Sequence, residues 1–581
     1  MPPMVSDRRS PWHRYLPVLQ WLPEYRPAYL VGDLTAGMIV ASLLVPQSMA
    51  YALLAGLPPQ VGLYASITPP LLYGLLGSSR VLAVGPVAVD SLMVGAAIAP
   101  LAAPDTPQYL GLALTIALVV GLLDLSLGLL RLGFLVNFLS RSVISGFMAG
   151  AAVIIALSQV KHLLGLSIPN RESVLQLVPL LVTHLGQINP ITLGLGLASA
   201  GILLYFNGPL VDQLQGRGWS PQWILPLTKG APLLVVILGT LVVYHLHLDQ
   251  IAGVRVVGEI PAGLPPLILP QLDLASLPAL LPVCLAIALV GYMEGFAGGQ
   301  ALASKRRETV DPNQELIALG IANLGSALSG GYPVTGGVSR SVVNFSAGAN
   351  TGLASMITGL LVALTVVFLT PLFYFLPQTC LAAIIITAVY KLIDLGHLGR
   401  LWAYDRADAL AWLVTFVTVM ALGVQQGVIW GGLLALGLHL WRTSHPHIAI
   451  VGRLGQSEHF RNVQRHPVTT SPEVLAVRLD ESLYFANAKY LETFIKRAIA
   501  DQLAVKKVLL VCSAINLIDA SALEILEGLV ADLQDLGIGF YLSEVKGPVM
   551  DRLVQIGFID FLGTDHVFLS TDQAMRELGG I

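Results

Sequence analysis

The sequence predicts a helical membrane domain followed by a water-soluble α/β domain. Hydrophobic residues make up 55% of the 581 residues and charged residues only 12%, about half the charged share of soluble domains. The deficit is uneven, because long apolar runs fill residues 30–445 while 446–581 has an ordinary soluble composition. We therefore predict an N-terminal segment 1–29, a transmembrane domain 30–445 and a soluble domain 446–581.

The apolar runs predict about fourteen membrane spans, since a bilayer core needs about 20 apolar residues per helix. Two of the predicted spans, 86–101 and 337–349, are too short to cross alone. The predicted spans are 31–55, 60–77, 86–101, 109–130, 134–160, 189–206, 231–246, 275–299, 315–329, 337–349, 351–370, 372–392, 407–423 and 424–442.

The positions of basic residues predict a cytoplasmic N-terminus and a cytoplasmic soluble domain, because Lys and Arg concentrate in cytoplasmic loops. With fourteen spans, Lys161, Arg171 and Arg255 fall outside and the other loop cations fall inside. The predicted cytoplasmic cations are Arg8, Arg9, Arg14, Arg26, Arg80, Arg131, Arg141, Arg217, Lys229, Lys305, Arg306, Arg307, Lys391, Arg400, Arg406 and Arg442.

The two short spans share a design. Each has Gly and Pro ahead of a short apolar helix, and each is the third span of its half of seven, which predicts a 7+7 inverted repeat. Interrupted spans at corresponding positions of two repeats indicate the central site of a transporter. Two half-helices with opposed N-termini would bind an anion through free N–H groups and dipole ends. We expect Val87, Ala88, Gly337 and Val338 to lie at these helix starts and to contact the anion.

Three of the ionisable residues within predicted spans lie in or near the predicted site, and a charge at membrane depth usually has a function. Arg340 could contact an oxyanion beside Ser339, or could be a structural counter-ion. A buried carboxyl favours its neutral form and a nearby cation its charged form, so Glu294 could carry a proton or only neutralise Arg340. Asp90 would repel an anion, and could face away, pair with Arg340 or stay protonated.

Two polar side chains flank a mid-span proline. Gln47 follows Pro46, and Tyr51 comes four residues later, which places both on one helix face. They could bind an anion from a third direction, although a lone Gln in a span often binds a neighbouring helix.

The soluble tail alternates between strand and helix patterns, which predicts an α/β sheet. We predict strands at Val474–Leu479, Lys507–Cys512 and Gly539–Val545, and helices at Ala486–Ala500, Ala520–Leu536 and Pro548–Ile556. Asp519 is a candidate N-cap. No phosphate-binding loop, zinc-ligand spacing or nucleophile elbow is recognisable in the sequence, so we expect no metal, no cofactor, no nucleic-acid partner and no enzyme.

Several of these motifs together resemble the sulfate permease family. They are Pro46-Gln47-Ser48-Met49-Ala50-Tyr51, residues 55–64 (AGLPPQVGLY), residues 77–80 (GSSR), residues 84–88 (VGPVA) and residues 339–344 (SRSVVN). The resemblance covers nearly the whole chain. It implies core and gate domains built from the inverted repeat, a cytoplasmic STAS domain in which Ser521 is a possible regulatory site, a homodimer, and a possible cytoplasmic protein partner of the STAS domain.

Within that family the chain is most similar to proton-coupled sulfate transporters. The resemblance implies that Gln47, Tyr51, Ser339 and Arg340 contact sulfate and that Glu294 couples transport to protons. We therefore expect a proton:sulfate symporter in the cell inner membrane. The alternatives are a bicarbonate, chloride or dicarboxylate carrier or exchanger, a channel-like anion conductor, and a membrane sensor.

Overall fold

The structure of the protein is a computed structural model that describes residues 15–134, 140–168, 173–270 and 275–579. The chain divides into two compact units, Met1–Ala435 and Leu436–Ile581. Four of the cations used to orient the predicted spans, Arg8, Arg9, Arg14 and Arg171, lie outside the described residues.

The first unit is helical. Its α-helices, with the last continuing into the second unit, are Val18–Trp21, Pro27–Leu54, Pro59–Tyr64, Thr68–Leu76, Ala88–Ile98, Pro107–Leu129, Arg141–Leu164, Val174–Thr183, Pro190–Asn207, Pro209–Gly216, Pro221–Lys229, Ala231–Leu246, Leu248–Ile251, Leu277–Lys305, Pro312–Leu328, Val338–Ser346, Leu353–Phe368, Gln378–Val389, Leu395–Tyr404, Arg406–Leu422 and Val424–Ser444. Three short 3₁₀ helices are Leu185–Gln187, Thr370–Phe373 and Tyr390–Leu392.

Within the described residues, six helical stretches are long and apolar enough to cross a membrane. They are Pro27–Leu54, Pro107–Leu129, Arg141–Leu164, Pro190–Gly216, Leu277–Lys305 and Gln378–Tyr404. A helix lies in each of the fourteen predicted ranges. Because several of these helices are short, the count of fourteen spans and the inverted repeat stay predictions.

The prediction of a single helix over 60–77 is wrong. Two helices, Pro59–Tyr64 and Thr68–Leu76, occupy this range. The second helix restarts at Thr68-Pro69-Pro70, since prolines lack the N–H that would continue the preceding helix. Pro46 has no such effect, because the helix Pro27–Leu54 runs through it.

A buried carboxylate holds the loop that leads to the first of two broken segments, residues 84–91 and 330–341, in each of which Gly and Pro precede a short helix. Glu315 is fully buried, and its Oε1 accepts hydrogen bonds from the Ser78 and Ser79 backbone N–H groups at 2.8 and 3.0 Å. The Ser78 hydroxyl and the Tyr73 hydroxyl donate to the same carboxylate, each at 2.7 Å. These bonds fix the chain just before residues 84–88.

The second unit is built on a six-stranded sheet whose predicted strands and helices are present within about two residues of their expected bounds. In spatial order the strands are Phe460–Asn462, Ile448–Arg453, Val474–Leu479, Lys507–Val511, Gly539–Ser543 and Val567–Phe568, with parallel pairing among the last four. The helices are Ala488–Asp501, Ala520–Asp535, Gly547–Gln555, Phe558–Leu562 and Thr571–Glu577, with a 3₁₀ turn at Thr564–His566.

The start of the helix Ala520–Asp535 has the predicted cap. The Asp519 side chain accepts a hydrogen bond from the Ala522 backbone N–H at 2.8 Å and another from the Phe485 N–H at 3.0 Å. Ser521 is exposed in the first turn of this helix. Its regulatory role stays a prediction.

Candidate anion-binding site

The two broken segments meet. Val84–Gly85 and Thr335–Gly336 pair as short antiparallel strands, with Val84 opposite Gly336 and Gly85 opposite Thr335. A short helix begins three residues after the first strand and two residues after the second, and we call Ala88–Ile98 the first half-helix and Val338–Ser346 the second half-helix. The strands run in opposite directions, and the N-terminus of each half-helix follows its strand directly, so both N-termini lie beside the crossing point of the two segments.

Side chains of the second half-helix bind the backbone that precedes the first. The Ser341 hydroxyl donates to the Gly337 carbonyl at 2.8 Å and accepts from the Ala83 N–H at 2.9 Å. The Gly337 N–H donates to the Ala83 carbonyl at 3.0 Å. The Asn344 amide donates to the Val81 carbonyl at 3.0 Å. The two half-helices are therefore held as one structural element.

Arg340 places a positive charge at the crossing point. Its side chain is only 3% exposed, and its Nη1 donates to the Pro86 carbonyl at 2.7 Å. A Cβ atom at Gly337 would lie 2.8 Å from the Arg340 Cζ and Nη2, so the guanidinium folds onto the start of its own helix. Its buried Nε and Nη2 have no hydrogen-bond partner in the described chain. These two adjacent donors form the fork that binds oxyanions in a bidentate manner.

The helix starts add backbone donors. The first intrahelical bonds run from the Ser91 N–H to the Val87 carbonyl and from the Ser341 N–H to the Gly337 carbonyl. The N–H groups of residues 88–90 and 338–340 precede these bonds, and neither helix has a side-chain cap within the described residues. Free N–H groups at helix N-termini attract negative charge.

The second broken segment packs closely against the helix Leu277–Lys305 where that helix presents glycines. A Cβ atom at Gly295 would lie 3.3 Å from the Gly336 Cα, and one at Gly291 would lie 3.1 Å from the Thr335 hydroxyl. The Thr335 hydroxyl donates to the Gly291 carbonyl at 2.6 Å. Side chains on this face would push the segment away, so the glycines allow close approach.

Glu294 lies on the same helix, between Gly291 and Gly295, and is half-buried. Its carboxylate interacts electrostatically with Arg340 and Tyr51. In the described structure no ion pair within 4.0 Å joins it to Arg340, and its buried Oε2 has no hydrogen-bond partner. Glu294 is therefore not in direct ionic contact with Arg340 in the described structure.

Gln47 and Tyr51 lie on the first long helix, Pro27–Leu54, which packs against both half-helices. Gln47 is 9% exposed, and its buried Oε1 has no partner among the described residues. Tyr51 is 6% exposed and interacts electrostatically with Arg340. Tyr51 thus faces Arg340. Gln47 is buried on the same helix, and its Oε1 could accept a hydrogen bond.

The remaining predicted contacts divide into two groups. Val87, Ala88 and Gly337 are buried at the helix starts, as an anion site between them requires. Val338, at 37%, and Ser339 are exposed in the first turn of the second half-helix. Their side chains are therefore not part of the buried contact between the half-helices.

Asp90 does not pair with Arg340. It is fully buried in the first turn of the first half-helix, and neither carboxylate oxygen has a hydrogen-bond partner in the part of the chain that the structure describes. A Cβ atom at Gly291 would lie 3.3 Å from the Asp90 Oδ2, so the carboxyl faces the helix that carries Glu294.

Several residues that shape the site were not predicted from the sequence. Ser341, Asn344 and Thr335 bind the backbone of neighbouring segments, and the Tyr332 hydroxyl bonds the Ser91 hydroxyl at 2.8 Å. Their only signal in the sequence is their position within or beside the glycine-rich broken segments. Small polar residues there are needed to satisfy backbone groups of non-helical chain at membrane depth.

Comparison with known proteins assigns the chain to a family. A model of the sulfate permease family matches residues 30–415, and a model of the STAS domain matches residues 466–574. The chain belongs to the sulfate permease family. In Arabidopsis thaliana, Sulfate transporter 4.1, chloroplastic, is 35% identical over 96% of this chain and 82% of its own length. Sulfate transporter 3.1 of the same plant is 34% identical over 97% and 86%.

Solved structures give the same fold. The murine Solute Carrier 26 family member A9 anion transporter, in an inward-facing state, superposes with a TM-score of 0.88 at 26% identity, over 99% of this chain and 96% of that one. The transmembrane domain of a cyanobacterial bicarbonate transporter, BicA, superposes with a TM-score of 0.59 at 26% identity, over 71% and 99%. The sulfate permease domain of this chain is thus part of a multi-pass membrane anion transporter with a C-terminal STAS domain.

Proposed function

We propose that this family member is a secondary active transporter that moves sulfate into the cytoplasm together with protons. Sulfate is bound between the starts of the two half-helices. The observation that carries the proposal is the buried guanidinium of Arg340, whose Nε and Nη2 lack partners in the described chain while Nη1 holds the opposite segment at the Pro86 carbonyl. A tetrahedral oxyanion fits that pair of donors, and the named plant relatives are sulfate transporters.

Energetics favours coupling to protons. Moving one charge across 100 mV costs ~2.3 kcal/mol, so importing a dianion against that voltage costs ~4.6 kcal/mol. Two protons would cancel this charge and a third would add a driving force. Glu294, beside Arg340 and half-buried, is the first proton site that we assign. With Glu294 ionised, its negative charge competes with sulfate for Arg340, so protonation favours anion binding.

In this proposal the half-helices move with their bound anion relative to the rest of the membrane domain, in an elevator-like or rocking motion. The protein lies in the cell inner membrane as a homodimer, with its N-terminus and STAS domain in the cytoplasm, where the STAS domain is free to bind a protein partner. The hydrogen bonds of Ser341 and Asn344 to the preceding segment support movement of the two half-helices as one body.

The proposal is tested by uptake into proteoliposomes that contain the full chain. Radiolabelled sulfate and bicarbonate are offered separately under imposed pH, sodium and voltage gradients. We expect sulfate uptake to rise with an inward proton gradient and to be insensitive to sodium. Preference for bicarbonate would reject the assigned substrate, and indifference of sulfate uptake to the pH gradient would reject proton symport.

The role of Glu294 is tested by Glu294→Gln in the same vesicles. The neutral amide cannot bind and release a proton. We therefore expect Glu294→Gln to lose the sulfate accumulation that this proton drives, which is about a factor of ten in the accumulation ratio per unit of pH difference. Glu308→Gln is the matched control, because Glu308 lies 3.9 Å from Arg80 on a partly exposed loop. Equal pH responses of wild type and Glu294→Gln would exclude Glu294 as a proton site.

A further inference from the structure

Asp90 is a buried carboxyl that the proposed site does not use. It is 0% exposed, and within the described chain neither of its oxygens has a hydrogen-bond partner or lies within 4.0 Å of a cation. An ionised carboxylate in such surroundings is strongly disfavoured, and a group placed there takes up a proton instead. The neutral acid is therefore the form that this packing accommodates.

The groups that face Asp90 add no positive charge. The first half-helix packs against Pro27–Leu54, Pro107–Leu129, Arg141–Leu164 and Leu277–Lys305. The charged or titratable residues of Arg141–Leu164 are Arg141 at its first position and Lys161 and His162 in its last turn. On the other three helices, the two carboxyls that interact electrostatically with Asp90 are Glu294 and Asp124. The remaining charged residues of these helices are Asp33 in Pro27–Leu54 and Lys305 at the last position of Leu277–Lys305. From the broken segments, Tyr332 lies near Asp90 and Arg340 binds the Pro86 carbonyl.

Asp90 interacts electrostatically with carboxyls on two other helices. One is Glu294, which also interacts with Arg340, and the other is Asp124, which is buried on the helix Pro107–Leu129. Asp124 is five residues from the end of that helix, or roughly 7.5 Å at 1.5 Å per residue. Arg131 follows there, on the side predicted to be cytoplasmic.

We propose that Asp90 is a second proton-binding site of the transport cycle. The proton comes from water on the outer side and binds a carboxylate oxygen, which forms one O–H bond. Release of that proton to cytoplasmic water restores the carboxylate, and no other bond changes. The neutral acid removes a negative charge from the half-helix that binds sulfate, and ionisation after the inward movement repels the anion and favours its release. This inference rests on the proposed proton symport of sulfate.

The test measures how many protons accompany each sulfate ion. Proteoliposomes with the full chain are held at zero voltage, and the final sulfate accumulation ratio is recorded against the imposed pH difference. Each coupled proton contributes about a factor of ten per pH unit. Because Asn is the neutral isostere of a protonated Asp, we expect Asp90→Asn to fold, to bind sulfate, and to lose one such factor. Asp105→Asn, at an exposed loop position, is the matched control and should match the wild type.

The outcomes separate this inference from the proposed function. If wild-type accumulation ignores the pH difference, proton symport fails and the inference falls with it. If wild type responds and Asp90→Asn responds equally, only the inference is overturned. Loss of the whole pH response in Asp90→Asn would make Asp90 the sole proton site and would also overturn it. Asp90→Ser is the second variant, and failure of both to fold or to bind sulfate would contradict the neutral state assigned to Asp90.

Discussion

Replacing Arg340 with Lys tests whether the guanidinium fork, and not positive charge alone, binds the anion. The substitution keeps the charge but replaces two adjacent donors, Nε and Nη2, by the single ammonium of a flexible chain. It also removes the rigid bond from Nη1 to the Pro86 carbonyl. One hydrogen bond between charged groups contributes about 1.5–3 kcal/mol. We therefore expect Arg340→Lys to bind sulfate roughly 10- to 150-fold more weakly, at 1.36 kcal/mol per factor of ten.

The assay is equilibrium binding of sulfate to the purified full chain, with the melting temperature measured in parallel to confirm folding. Arg306→Lys is the matched control, since Arg306 Nη1 also donates to a backbone carbonyl, that of Ala349, at 2.6 Å. Its guanidinium lies 4.5 Å from the ring centroid of Phe345, at the other end of the second half-helix. Sulfate affinity within threefold of wild type for Arg340→Lys, or an equal loss for Arg306→Lys, would refute the bidentate site.

Two further substitutions test the glycine that contacts Arg340 and, separately, a helix cap of the STAS domain. Gly337→Ala places a methyl group 2.8 Å from the Arg340 guanidinium, and we expect displacement of the guanidinium to weaken sulfate binding by about 1–3 kcal/mol of binding free energy. Gly111→Ala is the control and should leave binding unchanged, because nothing lies within 4 Å of a Cβ atom there. Equal sulfate binding by the two variants would contradict the described contact. Asp519→Ala removes the cap of the helix Ala520–Asp535 and should destabilise the STAS domain by about 1 kcal/mol. The loss is measured as faster protease cleavage of the STAS domain in the full chain. An unchanged cleavage rate would show that the cap does not stabilise the domain.

The broken segments could be predicted from the sequence, but their pairing could not. Gly and Pro ahead of two short apolar runs mark non-helical chain at membrane depth, and both helices begin within two residues of the expected position. The strands Val84–Gly85 and Thr335–Gly336 have only two residues each. A run that short has no period, so its partner is set by tertiary packing and not by local pattern.

The soluble domain shows the same division between strong and weak local signals. Its buried strand Val474–Leu479 begins and ends as predicted, because a continuous apolar run bounded by polar residues is a clear signal. Three strands were not predicted, namely Ile448–Arg453 inside the sheet and Phe460–Asn462 and Val567–Phe568 at its two edges. The two edge strands are short and are defined mainly by their hydrogen bonds to neighbouring strands. Edge strands of this kind follow from the central sheet and carry little pattern of their own.

The roles of Arg340 and Asp90 depend on the directions of their side chains, which the spacing of residues in the sequence does not give. Arg340 lies only two residues after the start of its helix, yet its guanidinium folds back onto Gly337 and crosses to the opposite segment. Asp90 occupies the equivalent turn of the other half-helix, but its carboxyl faces Gly291. The positive charge is thereby directed to the crossing point of the two segments, and the carboxyl lies among neighbours that supply neither a cation nor a donor within the described chain. In our proposal this asymmetry places the anion at the crossing point of the two half-helices, beside Arg340, and a second proton site at Asp90, because a buried position favours charge only where a partner can stabilise it.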